Sequence, residues 1–449
     1  MKLLYDNDAA IDELQDQIKQ QIMGDYIYMY PPRQSYAALK ADQAMDMAHA
    51  SLDLFPSLNL YFHVPFCNQI CSFCNLYARV SKDKTEYSRY VQLMIDEIQL
   101  FYTSKILDKK INTLYLGGGT PSLLSPGDFA VLFDYLKKEL DINVFEIEEV
   151  SLEVAPDTVD LAKFKELQAI GINRVNLGFQ AANAAELQSI GRRHGVYVLE
   201  KAMLTIKEIG FSNTCIDLIY GLQNQSPEDW IASVQFVITY RPETICIYPL
   251  TLRPATIYNK KGYLNINGAQ QYYKYEAAVD ALLTAGYRQE THIRFSLPNG
   301  GYIQKENHWK LENVLGIGAG ARSYLWNIDT RNHYSALKRD DAYKQYVGNI
   351  LSKEIPISDG FLMTNAERQR KALILGLVNL SRSWFKELFG QDVLELFPLL
   401  FPLAEQGFIN VSDLSVSLTA KGLKYRDLIV QLFFSSEVNH SVCNYDYKD

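Results

Sequence analysis

Between residue 58 and about residue 330 the hydrophobic pattern switches repeatedly between the period of a strand and that of a helix. Candidate strands are Leu58–Val64, Thr113–Leu116, Glu148–Glu153, Arg174–Leu177, Thr214–Tyr220 and Thr244–Tyr248. Amphipathic stretches such as Thr85–Tyr102, Pro126–Leu140, Val159–Ala169 and Pro227–Thr239 separate them. Repeated strand–helix units imply an α/β fold with a parallel sheet. With 449 residues, 48% of them hydrophobic, the chain can bury one large core and a smaller one. Its net charge is −8 and it carries no Lys/Arg-rich run, so nucleic acid is not an expected partner. No apolar run reaches the ~18 residues of a membrane span. The acidic start lacks a signal-like segment, and Cys215, Cys246 and Cys443 are scattered rather than framed as disulfides, so a cytoplasmic protein is expected.

The first strand candidate runs into Tyr61-Phe62-His63-Val64-Pro65-Phe66-Cys67, followed by Cys71 and Cys74 in a C-x3-C-x2-C spacing. Three thiolates on so short a loop can grip one polynuclear centre. A [4Fe–4S] cluster held by three cysteines keeps one iron free of protein, where electron-transfer clusters use four. A zinc loop with His63 as fourth ligand is the alternative. Other strand ends are also polar or glycine-rich. Gly117-Gly118-Gly119-Thr120-Pro121 follows the second strand, and its glycines allow close approach of a ligand to backbone amides. Glu153 and Gln180 follow at the third and fourth. Asp217 lies inside an apolar strand, where an unpaired carboxylate would cost several kcal/mol, so it is expected to face a polar interior. Arg192, with Arg193 as a rival, offers a rigid donor fork for a carboxylate or ribose. Gly316-Ile317-Gly318-Ala319-Gly320 is a further small-residue loop without the surroundings of a dinucleotide site.

The cysteine loop resembles that of the radical S-adenosylmethionine (SAM) enzymes, in which SAM chelates the unique iron and is split by an electron from the cluster. Tyr61-x-His63-x-Pro65-Phe66-Cys67 resembles the oxygen-independent coproporphyrinogen III oxidase-like branch. That resemblance implies a partial (β/α)6 TIM-like barrel with a smaller, mostly helical, winged-helix-like C-terminal domain. It implies Cys67, Cys71 and Cys74 as cluster ligands, with Tyr61 and His63 as catalytic candidates. Gly117, Gly118, Gly119 and Thr120 would hold SAM's amino end, and Glu153, Gln180, Arg192, Asp217 and Ile219 would contact SAM. Gly318 and Ala319 would lie near a second SAM or the substrate. Leu76 stands where coproporphyrinogen oxidases carry a further cysteine, and Gln304–Trp309 replaces the HNxxYW segment of haem-chaperone relatives. Cys71-x-Phe73-Cys74-Asn75-Leu76-Tyr77 is similar to class C radical SAM methyltransferases and cyclopropanases. Two SAM molecules and methyl or methylene transfer to an sp2 carbon of a small molecule are therefore expected. Oxidative decarboxylation or haem handling is the alternative. A flavodoxin or ferredoxin would supply electrons, and the chain would be a monomer.

Three parts are expected. Residues 1–50 hold a helix over Ala9–Met23 and an extended stretch, Gly24–Tyr36, that either crosses the barrel mouth or packs on the surface. Residues 51–350 form the barrel, and 351–449 form a helix over Phe361–Val378, a hairpin, a helix through Phe434, and a loose tail after Glu437 in which Cys443 has no role.

Overall fold

Local chemistry starts the crossover helices where the sequence places them. Ser125 Oγ accepts from the Asp128 amide at 3.1 Å while Asp128 Oδ2 accepts from the Ser125 amide at 2.8 Å, so two otherwise unpaired donors are satisfied at the head of Pro126–Leu140. Ser226 caps Pro227–Tyr240 in the same way, accepting from the Asp229 amide at 3.0 Å. In this computed structural model, which describes residues 7–192, 194–254, 256–262 and 267–445, such helices return the chain so that successive strands run parallel.

The parallel strands are β1 (Ser57–Val64), β2 (Lys110–Gly118), β3 (Glu149–Val154), β4 (Arg174–Gln180), β5 (Asn213–Tyr220), β6 (Thr244–Pro249) and β7 (Val314–Ile317). Across the sheet they stand in the order β7-β1-β2-β3-β4-β5-β6. Antiparallel strands extend both edges, Arg294–Ser296 beyond β6 and Arg322–Tyr324 beyond β7. The two edges do not pair among the described residues, so the barrel stays open, as the partial-barrel expectation requires. β7 is a strand that the sequence reading takes for the start of a glycine loop. Its Gly316 must stay small, because a Cβ there would stand 2.2 Å from the Arg322 carbonyl oxygen.

Four boundaries differ from expectation. The strand Ile357–Leu362 pairs with Ile328–Asn332, so the main sheet runs past residue 350 and takes in Phe361. The following helix starts only at Asn365, where Thr364 caps it, and ends at Gly376. The tail is not loose over its described part: Ser435 caps a helix, Ser436–Cys443, and Val438 is fully buried. The first helix spans Asn7–Lys19 and sends Ile11 and Leu14 into the same second core as Phe385, Leu400 and Phe408. That second core also contains the small sheet of Leu380–Ser381, Ile409–Val411 and Ser415–Leu418, which with its flanking helices matches the helix–hairpin–helix expectation. The stretch 24–36 links the two cores. Ile27 and Tyr30 pack into the second, while Tyr26 lies against Tyr248 of β6 with ring centroids 5.7 Å apart. Among the described residues no helix is long and apolar enough to cross a membrane.

Candidate active site

The pleat of β1 sends Tyr61 and His63 to the barrel interior, and the chain then turns through Pro65 into the cysteine loop. A short parallel pairing of Phe66–Cys67 with Arg79–Val80 closes the base of that loop. Its far side is tied down where the Ser72 amide donates to the Ile190 carbonyl at 2.9 Å. Two outside side chains reach the thiols. Thr120 Oγ1 lies 3.3 Å from Cys67 Sγ, and Arg192 Nε donates to Cys71 Sγ at 3.3 Å. Burial pushes the Cys67 thiol up to about 12 and the Cys74 thiol to about 11, so a metal centre must displace their protons to bind.

Geometry decides between zinc and a cluster. Among the described residues, Cys215, Asp217 and Cys246 are the only three His, Cys, Asp or Glu whose ligand atoms all lie within 4.8 Å of one another. Cys67, Cys71 and Cys74 do not form such a single-ion group, and three thiols on one loop suit a polynuclear centre. His63 cannot complete a zinc site either. Its Nε2 must carry the hydrogen, because the partner at 2.8 Å is the Tyr77 carbonyl oxygen, which only accepts. Its Nδ1 then accepts from the Tyr61 hydroxyl at 3.0 Å, and burial lowers its pKa to about 4. Both nitrogens of a neutral ring are occupied, so His63 serves to fix Tyr61. The residues present fit a [4Fe–4S] cluster held by three thiolates.

The glycine triplet is fitted to this loop. A Cβ on Gly119 would stand 2.6 Å from the Phe66 carbonyl oxygen and 3.0 Å from Cys67 Sγ. Gly118 adopts φ +120°, a conformation that suits glycine alone. Not every amide there is free for a ligand. Gly118 donates to Glu153 Oε2 at 2.9 Å, and Gly119 donates to the Val64 carbonyl at 2.8 Å. Glu153 also accepts from the Tyr115 hydroxyl at 3.0 Å, yet burial wins and raises its pKa to about 7. Asp217 accepts from Asn176 Nδ2 at 2.8 Å, and burial raises it to about 6. Gln180 sits at a β-bulge with φ 74°, and its side chain and the Arg192 guanidinium converge over Gly178. Ile219 is buried on the same strand as Asp217. Arg193 lies outside the described residues. The amides of Gly318 and Ala319 are already taken, by Glu97 at 2.8 Å and by the Tyr90 hydroxyl at 2.8 Å.

Beside Tyr61 and Glu153 opens a cavity of ≈ 420 Å³ that sequence reasoning does not locate. Tyr28, Met29 and Arg33 of the extended stretch line it, which settles that this stretch crosses the mouth. Tyr115 stacks on Tyr302 at 5.4 Å, and Lys305, Arg322 and Tyr324 add charge and another ring. Lys305 Nζ donates to the Tyr28 carbonyl at 2.8 Å, and burial lowers its pKa to about 7. His308 stacks on Tyr324 at 4.4 Å, is 4% exposed, and has no hydrogen-bond partner at Nε2. The departure of Gln304–Trp309 from a known motif marks this wall in sequence, but nothing there signals Tyr302 or Cys443 as lining residues.

Comparison with known proteins gives concordant results. The radical SAM superfamily pattern matches residues 61–237, from Tyr61 past Asp217. The haem chaperone HemW of Bacillus subtilis (strain 168) is 31% identical over 375 residues, covering 81% of this chain and 95% of that protein. The oxygen-independent coproporphyrinogen III oxidase of Salmonella typhimurium is 27% identical over 394 residues, 81% of this chain and 82% of that one. The solved coproporphyrinogen III oxidase (HemN) of Escherichia coli superposes with a TM-score of 0.78 at 23% identity, covering 93% of this chain and 98% of its own, which shows the shared fold.

Proposed function

This chain belongs to the radical SAM superfamily, in the branch of the oxygen-independent coproporphyrinogen III oxidases and HemW, and on that footing we propose that it pairs SAM cleavage with the handling of haem. The observation that carries the haem reading is the cavity: stacked tyrosines for a flat macrocycle, Lys305 and Arg322 for propionates, and the unpartnered His308. The relatives favour a tetrapyrrole over methyl transfer, and they lend no support to a second SAM molecule. Leu76, where the oxidases carry a cysteine, favours haem handling over decarboxylation.

A bound cluster would supply the electron that splits SAM. Everything else is the work of this chain's residues. Cys67, Cys71 and Cys74 would hold the cluster, with the Arg192 N–H stabilising the Cys71 thiolate. Glu153, raised to about 7, is ionised by the approach of an ammonium group and can anchor the amino end of SAM. The Tyr61–His63 pair holds the hydroxyl of Tyr61 in one orientation facing the cavity. Tyr28 and Met29 cover the mouth and keep water out.

The test is anaerobic and uses the cluster-reconstituted chain with methyl-deuterated SAM, dithionite, and either haem or coproporphyrinogen III. Stoichiometric haem binding by absorbance, with unlabelled 5′-deoxyadenosine and no protoporphyrinogen, is the predicted outcome. Protoporphyrinogen would establish the oxidase. Deuterium in 5′-deoxyadenosine would restore the methyl-transfer expectation.

A further inference from the structure

The metal-like cluster that the function does not use lies on the barrel's inner wall. Cys215 on β5 and Cys246 on β6 meet only through strand register, in which Asp217 pairs with Cys246 and Cys215 with Thr244. Their Sγ atoms stand 3.7 Å apart, both residues are buried, and both thiols are free. A disulfide needs a sulfur separation of about 2.05 Å, so the pair is unbonded. Two thiolates on one tetrahedral ion, at metal–sulfur distances of about 2.3 Å, stand about 3.8 Å apart. The observed separation is that edge. The third corner is Asp217, whose Oδ1 lies 4.0 Å from Cys215 Sγ, and the three ligand atoms all fall within 4.8 Å.

Charge supplies an independent observation. Two thiolates and a carboxylate around a divalent ion leave one negative charge. Arg174 on β4 is 1% exposed, and its Nε and Nη2 have no hydrogen-bond partner. Its carboxylate neighbour, Glu149, stands off at 3.7 Å. Burial first, then Cys246 and Asp217, hold the Cys215 thiol well above the ordinary thiol range, and only the Arg174 guanidinium acts on it toward the thiolate, so a metal must displace its proton to bind. Arg174 also pairs with Glu149, donates from Nη1 to Ser151 Oγ at 3.3 Å and lies over the Tyr302 ring, so it can offset only part of the charge of a metal–dithiolate–carboxylate unit.

We propose that Cys215, Cys246 and Asp217 form a binding site for one thiophilic divalent cation of the zinc class, with water in the fourth position, separate from the iron–sulfur site. On binding, two thiol protons leave, two metal–sulfur bonds and one metal–oxygen bond form, and no electron moves. The site also has a consequence for SAM that rests on the functional reading above and on the SAM contact that the family resemblance gives Asp217. A cation that engages Asp217 withdraws it from SAM, so zinc inhibits SAM binding.

The experiment uses the full chain carrying Cys67→Ser, Cys71→Ser and Cys74→Ser, titrated anaerobically with Co2+ and then Zn2+. One Co2+ per chain is expected, with thiolate-to-cobalt charge transfer in the near ultraviolet that zinc abolishes. Adding Cys246→Ser or Cys215→Ser should weaken binding at least ~100-fold, or about 2.7 kcal/mol, and remove the charge-transfer band. Adding Cys443→Ser should change neither. Absence of the band in the folded triple variant, or its survival without Cys215 and Cys246, would show two thiols in mere van der Waals contact and overturn the proposal. If circular dichroism shows the triple variant unfolded, zinc per chain is compared between the cluster-loaded wild type and its Cys246→Ala form. A loss of about one zinc in the variant upholds the site, and equal zinc overturns it. The metal readout does not involve SAM or haem, so it stands if the functional reading falls.

Discussion

The chain holds two groups of cysteines, and they are arranged for different purposes. Cys67, Cys71 and Cys74 are close in sequence on one loop, and they are served by Thr120 just past β2 and by Arg192 well beyond the end of β4. Cys215 and Cys246 are 31 residues apart in sequence yet 3.7 Å apart in space. Closeness along the chain thus marks a loop that wraps a large centre, and closeness across a sheet marks a compact pocket for a single ion. The first group also stands at the strand ends, where a substrate can enter, while the second lies within the strands.

The largest expected effect separates the two groups outright. Replacing Cys67, Cys71 or Cys74 by Ala should abolish cluster retention, measured as iron per chain, and lower 5′-deoxyadenosine formation by at least ~1000-fold. Cys246→Ala should leave the iron content unchanged, and iron loss in that variant would break the comparison. Next in size is Gly119→Ala. Its methyl must displace the Phe66 carbonyl or the Cys67 thiol, so SAM cleavage should fall by about 100-fold while circular dichroism stays native. Arg192→Lys removes the N–H aimed at Cys71 and should slow cleavage by about 10-fold with full iron content, shifting the cluster's reduction potential as well. An unchanged potential would deny Arg192 its part in the first group.

A pH dependence tests the site from another side. Burial raises Glu153 from the ordinary 4.5 to about 7, so the fold retains its proton at pH values where the unfolded chain has lost it. The ligand-free protein therefore loses stability as pH rises from about 4.5 to about 7, by up to about 3 kcal/mol from this group. Glu97 is also raised to about 7 by burial, so Glu153→Gln should lessen the slope of denaturation midpoint against pH without removing it. SAM affinity should run the other way in the wild type, rising with pH toward 7 as the carboxylate becomes available to an ammonium group. A flat affinity profile would remove Glu153 from the SAM site.

Much of the barrel was legible because its signals are local. Periodicity gives β1 to β6 and helices such as Pro126–Leu140 and Pro227–Tyr240 within a few residues. The cluster loop and glycine triplet were legible for the same reason: each is one contiguous run. What sequence left hidden is non-local. Val314–Ile317 is a strand because β1 is there to pair with it, and Phe361 is drawn into a strand by the edge at Ile328–Asn332. The helix Ser436–Cys443 forms where Val438 finds the second core. His63 was open between a zinc ligand and a catalytic residue until the Tyr77 carbonyl and Tyr61 hydroxyl fixed its tautomer. Cys215 and Cys246 looked scattered because only β5–β6 register brings them together.

The most direct test of the central claim, that the three loop cysteines hold a SAM-cleaving cluster, is a single anaerobic assay on the reconstituted chain. Iron and sulfide are counted, dithionite and SAM are added, and 5′-deoxyadenosine is quantified by mass spectrometry. The account predicts about four iron and four sulfide per chain, with 5′-deoxyadenosine that disappears in the Cys71→Ala variant. A chain that takes up zinc on the loop in place of iron, or that loads the full cluster and forms no 5′-deoxyadenosine with SAM, would contradict it.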